Sequence, residues 1–206
     1  MQLRELRDIN GLVGLLHDGS MSGNVAIRGA AARALGDLKA SSAVGSLARL
    51  LVEDDRVDVR AQAATAIGAI GSSGCVGPLI EGLGGQHDTV RIAIVNGLGQ
   101  LRSPDALPTL LELLHDQSTT VRSVAARAIG AIGTGDVIPR LVDVAASDRM
   151  MVRTAAVDAI ARIGGTSSIE QLSDLRRRSR NPVLRRYLSV ELKKLRKGGK
   201  AGREPT

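Results

Sequence analysis

The sequence predicts an all-α fold: a right-handed α-solenoid of about five helix–turn–helix units, with a half unit capping each end. Three observations lead there. The stretch DVRAQAATAIGAIG at 58–71 returns, little changed, as TVRSVAARAIGAIG at 120–133. The apolar residues in each copy follow one helical face, and no segment alternates with the period of two that a half-buried strand needs. Finally, the core must be built without bulk. The chain has 206 residues, 43% of them hydrophobic, yet Phe and Trp are absent and Tyr187 is the one tyrosine. Ala, Leu, Ile, Val and Gly suit thin helices set close together.

The repeat is clearest when aligned on a hydrophobic–arginine pair. Arg28, Arg60, Arg91, Arg122 and Arg153 follow one another at 32, 31, 31 and 31 residues, and Arg185 stands 32 further on. Three, six, seven and ten residues after each of the first five arginines come small or aliphatic residues, as in Ala63, Ala66, Ile67 and Ile70. Those offsets trace one face of a helix. Eight residues after four of the arginines stands a glycine: Gly36, Gly68, Gly99 and Gly130. Glycine in a helix interior costs about 0.5–1 kcal/mol relative to alanine, so close approach of a neighbouring backbone is the expected compensation. Gly71, Gly133 and Gly164 are expected to end their helices in the left-handed conformation.

A second apolar segment follows in each unit: VGSLARLL, GPLIEGL, LPTLLELL, IPRLVDVA and IEQLSDL. Pro78, Pro108 and Pro139 open three of them, where the first helical turn tolerates proline. The units are expected at about 24–54, 55–86, 87–117, 118–148 and 149–180, within one solenoid over 1–197. NGLVGLLHD near the start reads as a lone second helix, giving a cap over 1–18. A C-terminal cap helix is expected over 182–197, where the small residues give way to Leu188, Glu191 and Lys193. A last helix has no outer neighbour and can present charge to water. Residues 198–206, GGKAGREPT, are expected to be disordered.

Five units of V-R-x-x-A-x-x-A-[LI]-G-x-[LI]-G, each followed by a second amphipathic helix, resemble HEAT repeats of the short variety named after phycobilisome lyase subunits. The resemblance covers roughly residues 10–197. It implies that the second helices line a concave face and that the arginines form a structural ladder. In that ladder the arginines would bridge to acids that often lie a few residues ahead of them, Asp55 or Asp58, Asp88, Asp116 and Asp148; a row of phosphate contacts is the alternative reading. It also raises bilin lyase-like activity, with no catalytic residue that can be carried over.

No catalytic, cofactor or metal constellation stands out. His17, His87 and His115 each precede an aspartate but are far apart in the chain, and Cys75 lies in GSSGCVG without a nearby histidine or a preceding strand. The expected function is therefore a non-enzymatic interaction scaffold. Counting from the proline position of each second helix, the outward residues fall one, four and eight on. Those chosen as concave-face candidates are Arg49 and Glu53, then Leu79 and Gln86, then Thr109 and Glu112. Arg140 and Asp143 follow, and then Gln171, Asp174 and Arg178.

Charge is unevenly spread. Residues 1–175 hold 16 Lys+Arg against 19 Asp+Glu, while 176–206 hold 12 against 2. Candidate polyanion contacts are Arg176, Arg177, Arg178 and Arg180, then Arg185 and Arg186. Lys193, Lys194, Arg196 and Lys197 complete the set. A protein partner is expected, with nucleic acid as a second class reached through this basic end. The lone Cys75, the mixed-charge N-terminus and the lack of a long apolar run suggest a cytoplasmic protein.

Overall fold

The computed structural model describes residues 9–17 and 25–201, and the described residues contain α-helix, short 3-10 turns and loops but no strand. By its contacts the chain divides into two compact units, 1–106 and 107–206.

The first unit contains α1 (Ile9–His17), α2 (Val25–Asp37), α3 (Val44–Glu53), α4 (Val57–Ile70), α5 (Val76–Glu81) and α6 (Asp88–Leu101). Helices α2, α4 and α6 carry the arginine motif and stack one on the next. Their faces explain the small residues. Val59, Ala63, Ala64 and Ile67 are fully buried, as are Val90, Ile94, Val95 and Leu98. Burial thus reaches a position, four after the arginine, that the one-face pattern leaves out. A stacked helix has neighbours before, behind and beside it, so more than one stripe must be apolar. A Cβ added to Gly36 would stand 2.8 Å from Ala66 Cα, and one added to Gly68 would stand 2.6 Å from Gly97 Cα. Position eight of one helix therefore faces position six of the next, and the backbones meet there.

The second unit repeats the scheme with α7 (Leu107–Glu112), which a 3-10 turn extends to His115, and α8 (Thr119–Ile132). α9 (Ile138–Ser147), α10 (Met150–Ile163), α11 (Gly165–Arg178) and α12 (Pro182–Ala201) follow. Here a Cβ on Gly130 would stand 2.5 Å from Ala159 Cα, again position eight against position six.

Each second helix packs more closely on the first helix that follows it than on the one before: α3 on α4, α5 on α6, α9 on α10, α11 on α12. Counted by packing, the described helices form six pairs, three in each unit, beginning with α1 on α2. Boundaries drawn at the arginine motif cut across these pairs.

Three local expectations differ from what is observed. Gly71 ends α4 in the left-handed region, with φ 77° and ψ 10°, but Gly133 after α8 is extended, with φ −70° and ψ 158°, and Gly164 combines φ 73° with ψ −163°. At Gly133 the demand is for space: an added Cβ would stand 2.7 Å from Val137 Cγ2 and 2.8 Å from the Ile129 carbonyl oxygen. Glu191 does not face water either. It is 8% exposed, because position six of α12 looks back into the stack, and Lys194 reaches it with a 2.6 Å ion pair. Only position eight, Lys193, is turned outward. Last, α12 continues to Ala201, so 198–201, placed in the expected tail, are helical. Residues 202–206 lie outside the described residues, as do residues 1–8 and 18 of the expected 1–18 cap.

Candidate functional site

The ladder arginines are built into the loops. Arg28 Nε donates to Asp54 Oδ2 at 2.6 Å and its Nη2 to Asp54 Oδ1 at 3.1 Å, a bidentate fork with 8% and 4% of the two side chains exposed. Arg122 does the same to Asp148, at 2.6 and 2.8 Å. Arg60 Nε donates instead to Gln86 Oε1 at 2.9 Å. Each of these partners lies 26 residues after its arginine, not just before it. The loop just before offers its backbone: Arg60 donates to the Asp54 carbonyl, Arg91 to that of Gln86, Arg122 to that of Asp116 and Arg153 to that of Asp148. Asp54 thus holds α2 through its carboxylate and α4 through its carbonyl, and Asp148 holds α8 and α10 in the same way. Burial alone would raise the Asp54 carboxyl, but hydrogen bonds from Arg28 and the Arg56 N–H, with the Arg28 charge, hold it below the usual carboxylate range. The hydrogen bond from Arg122 is the main cause that lowers Asp148, against the opposing effect of burial.

The candidate surface lies on the second helices. In the first unit Arg49 and Glu53 are exposed on α3. Leu79 is a correction: it is fully buried. Pro108 and Pro139 are the second residues of α7 and α9, whereas Pro78 is the third of α5. Counting from Pro78 therefore slips the register by one, and counting from Gly77 brings Leu79 inside and Glu81 out to solvent. Leu79→Ala is expected to cost about 3 kcal/mol in urea unfolding, the price of a buried leucine; a surface position would cost less than about 0.5 kcal/mol. Gln86 is half-buried and fully engaged: besides accepting from Arg60, its Nε2 donates to the Leu51 carbonyl at 3.3 Å. It belongs with the ladder.

In the second unit Glu112, Arg140, Asp143 and Arg178 are exposed, and Thr109, Gln171 and Asp174 are half-buried. Asp174 is paired with Arg177 at 3.3 Å and with Arg178. A recess of about 120 Å³ opens between α7 with its 3-10 turn and α9, lined by Leu111, Leu114 and Val144 together with His115, Arg140, Asp143, Ser147 and Asp148. That volume suits a side chain and falls below the roughly 300 Å³ at which small-molecule pockets begin.

The basic residues gather at the other end of the same unit, on α11 and α12. Arg176, Lys193, Arg196 and Lys197 surround a second recess, of about 260 Å³, with Ser189 and Leu192. Arg177, Arg178 and Lys194 are drawn off into ion pairs. Arg180, Arg185 and Arg186 are exposed outside this recess.

The residues considered for chemistry take up local roles. His87 caps α6, its Nδ1 accepting from the Thr89 N–H at 3.3 Å. His115 closes the 3-10 turn after α7; the His17 side chain lies outside the described residues. Among the described residues no three His, Cys, Asp or Glu side chains gather into a metal site. Cys75 is fully buried, its Sγ 3.2 Å from Ser72 Oγ. Among the described residues no helix is long and apolar enough to cross a membrane.

Known proteins match this architecture. The family model of HEAT repeats matches residues 9–76, 76–150 and 113–191. Among solved structures, YibA of Escherichia coli has a TM-score of 0.61 at 23% identity, over 92% of this chain and 71% of that one. The complex of CpcE and CpcF of phycocyanin lyase from Nostoc sp. PCC7120 has a TM-score of 0.55 at 21% identity, over 94% and 84%. A designed armadillo repeat protein in complex with the peptide (KR)4 has a TM-score of 0.59 at 21% identity, over 90% and 98%. Among curated proteins nothing matches. At these identities the solved structures speak for the fold alone, an α-solenoid, while the family model spans nearly all of the described chain. The chain belongs to the HEAT-repeat family.

Proposed function

We propose that the protein is a non-enzymatic adaptor that grips a segment of a protein partner on the second-helix face of residues 107–206. The observation that carries this reading is the recess between α7 and α9. It combines three apolar side chains, Leu111, Leu114 and Val144, with polar ones, is sized for one side chain, and includes Arg140 and Asp143, charges of opposite sign that are exposed. Glu112 is exposed on the same helix as the Leu111 wall. An apolar anchor inside a charged rim is the usual anatomy of a peptide-binding surface. The designed armadillo protein of similar fold holds a peptide, which supports the same use of the architecture here. Stacked repeats display such a face in extended form. Asp148 also lines the recess, but its carboxylate is held by Arg122, which leaves Arg140 and Asp143 as the charges available to a partner.

The test is a crosslinking pull-down from the source cells with the wild type and with Glu112→Lys, Arg140→Glu, Asp143→Lys combined. All three side chains are exposed, so folding is expected to be unchanged within about 0.5 kcal/mol. Recovery of the main partner is expected to fall at least tenfold. If recovery is unchanged while Arg176→Gln, Lys193→Gln, Arg196→Gln, Lys197→Gln together abolish it, the reading fails.

A further inference from the structure

We propose that the cleft between α11 and α12 docks the phosphate backbone of double-stranded nucleic acid. The cleft is held from both sides. Arg176 Nη1 on α11 donates to Ser189 Oγ on α12 at 3.3 Å, and Arg196 Nη2 on α12 donates back to Ser173 Oγ on α11 at 3.5 Å. These crossed contacts set one guanidinium from each helix beside the recess of about 260 Å³. Lys193 and Lys197 line it too, one helical turn apart, about 6 Å along α12.

Among the described residues the four cations have no acidic partner. Residues 176–197 carry ten Lys+Arg and a single acid, Glu191. The carboxylates around the cleft are already engaged: Glu191 by Lys194, Asp174 by Arg177 and Arg178, and Asp158 by the Tyr187 hydroxyl. Among the described residues no carboxylate lies within ion-pair distance of Arg176, Lys193, Arg196 or Lys197. A protein does not gather four like charges around one hollow for stability, because like charges repel.

The chemistry of the rim selects the ligand. A membrane helix inserts a broad apolar face, but on α12 Leu184, Leu188 and Leu192 are buried in the fold, and the exposed Val183 and Val190 are two valines set seven residues apart among cations, too little to insert. A protein partner needs large apolar or aromatic anchors, and this rim has none beyond Leu192. Single strands are held by stacking on aromatic rings, and the sole ring, Tyr187, is half-buried with its hydroxyl bonded to Asp158. Guanidinium and ammonium groups are what a duplex backbone accepts, without reading its sequence.

Fluorescence anisotropy of the full chain with a labelled random-sequence duplex tests this. Four phosphate contacts give a slope of log K against log salt near −3.6, a loss of about 150-fold in affinity between 50 and 200 mM salt. Arg176→Gln, Lys193→Gln, Arg196→Gln, Lys197→Gln together should abolish most of that slope and weaken binding at 50 mM at least tenfold. A charge-matched control, Arg33→Gln, Arg56→Gln, Arg127→Gln, Arg162→Gln, alters exposed cations elsewhere and should keep the slope. Circular dichroism checks that both variants fold. No duplex binding at 50 mM salt overturns the proposal. So does an equal loss in the control, or tighter binding to phosphatidylserine vesicles or polyglutamate than to duplex. The Glu112, Arg140 and Asp143 variant should bind duplex like the wild type, which keeps this site distinct from the adaptor face.

Discussion

Gly68→Ala combined with Gly130→Ala should lower stability by about 5 kcal/mol, although each replacement taken alone in an isolated helix would be favourable. Alanine gains about 0.5–1 kcal/mol over glycine inside a helix. Here the new methyl would stand 2.6 Å from Gly97 Cα in one unit and 2.5 Å from Ala159 Cα in the other. Real Cβ atoms do not approach backbone that closely, so the stacked helices must separate. Overpacking of a close-packed interior costs about 1–3 kcal/mol, and a clash with backbone cannot be relieved by a rotamer change, which places each site near the top of that range. The atoms crowded at the two sites are different, so the costs should add. For a chain of this size the melting temperature should fall by about 10–20 °C. Gly45→Ala on α3 is the internal comparison: nothing lies within 4 Å of the added Cβ, so it should be neutral or stabilising. If the double variant melts with the wild type, the backbones do not meet at these glycines.

That contrast shows why so much of the fold was legible in the sequence. Stacked copies of one unit must solve the same contact each time, so the same small residue recurs at the same offset and the spacing exposes it. The spacing alone assigns Gly36, Gly68 and Gly130 to helix contacts. Whatever depends on one residue's displacement was hidden. Pro78 sits one place later in α5 than Pro108 in α7, and that shift turned buried Leu79 into an apparent surface residue. The signal was present but easily overruled: Val76 and Leu79 preserve the apolar spacing when proline is ignored. The ladder was half legible. Repetition identified the arginines, but nearness in sequence favoured the acid a few residues ahead. A long guanidinium at the start of one first helix instead reaches the loop ahead of the next, 26 residues on. Gln86 at that same offset shows that the contact there tolerates a neutral acceptor. The basic cleft was legible as composition only. That four of the ten cations share one hollow while three others are neutralised depends on how α11 and α12 pair.

The offset ladder leads to the second large effect. Asp54→Asn should cost about 3–4 kcal/mol at pH 7, and the loss should disappear in acid. Asparagine fills the same space and can still accept from the Arg56 N–H, which bonds Asp54 Oδ1 at 2.8 Å. What it removes is the charge facing Arg28, a guanidinium only 8% exposed, leaving the exposed Asp55 at 3.2 Å as a partial substitute. Removing one member of a buried ion pair costs about 3–5 kcal/mol, and the substitute argues for the lower part of that range. The pH dependence follows from the direction of the shift. The folded carboxyl lies below its ordinary value of about 3.9, so its stabilisation is fully present above about pH 4 and is lost as pH falls through the folded value. Urea unfolding at pH 7 and then in steps below pH 4 should show the wild type descending towards the variant, because a protonated Asp54 and an asparagine offer Arg28 the same neutral oxygen. Asp148→Asn should behave alike with a smaller gap, about 2 kcal/mol, since both members of its pair are 15% exposed and water already shares the load. A gap at Asp54 that persists unchanged at pH 2 would mean that shape, not charge, holds α2 and α4 to this loop. No gap at pH 7 would mean that Asp55 alone can hold Arg28, and the 26-residue step would then be a contact without consequence.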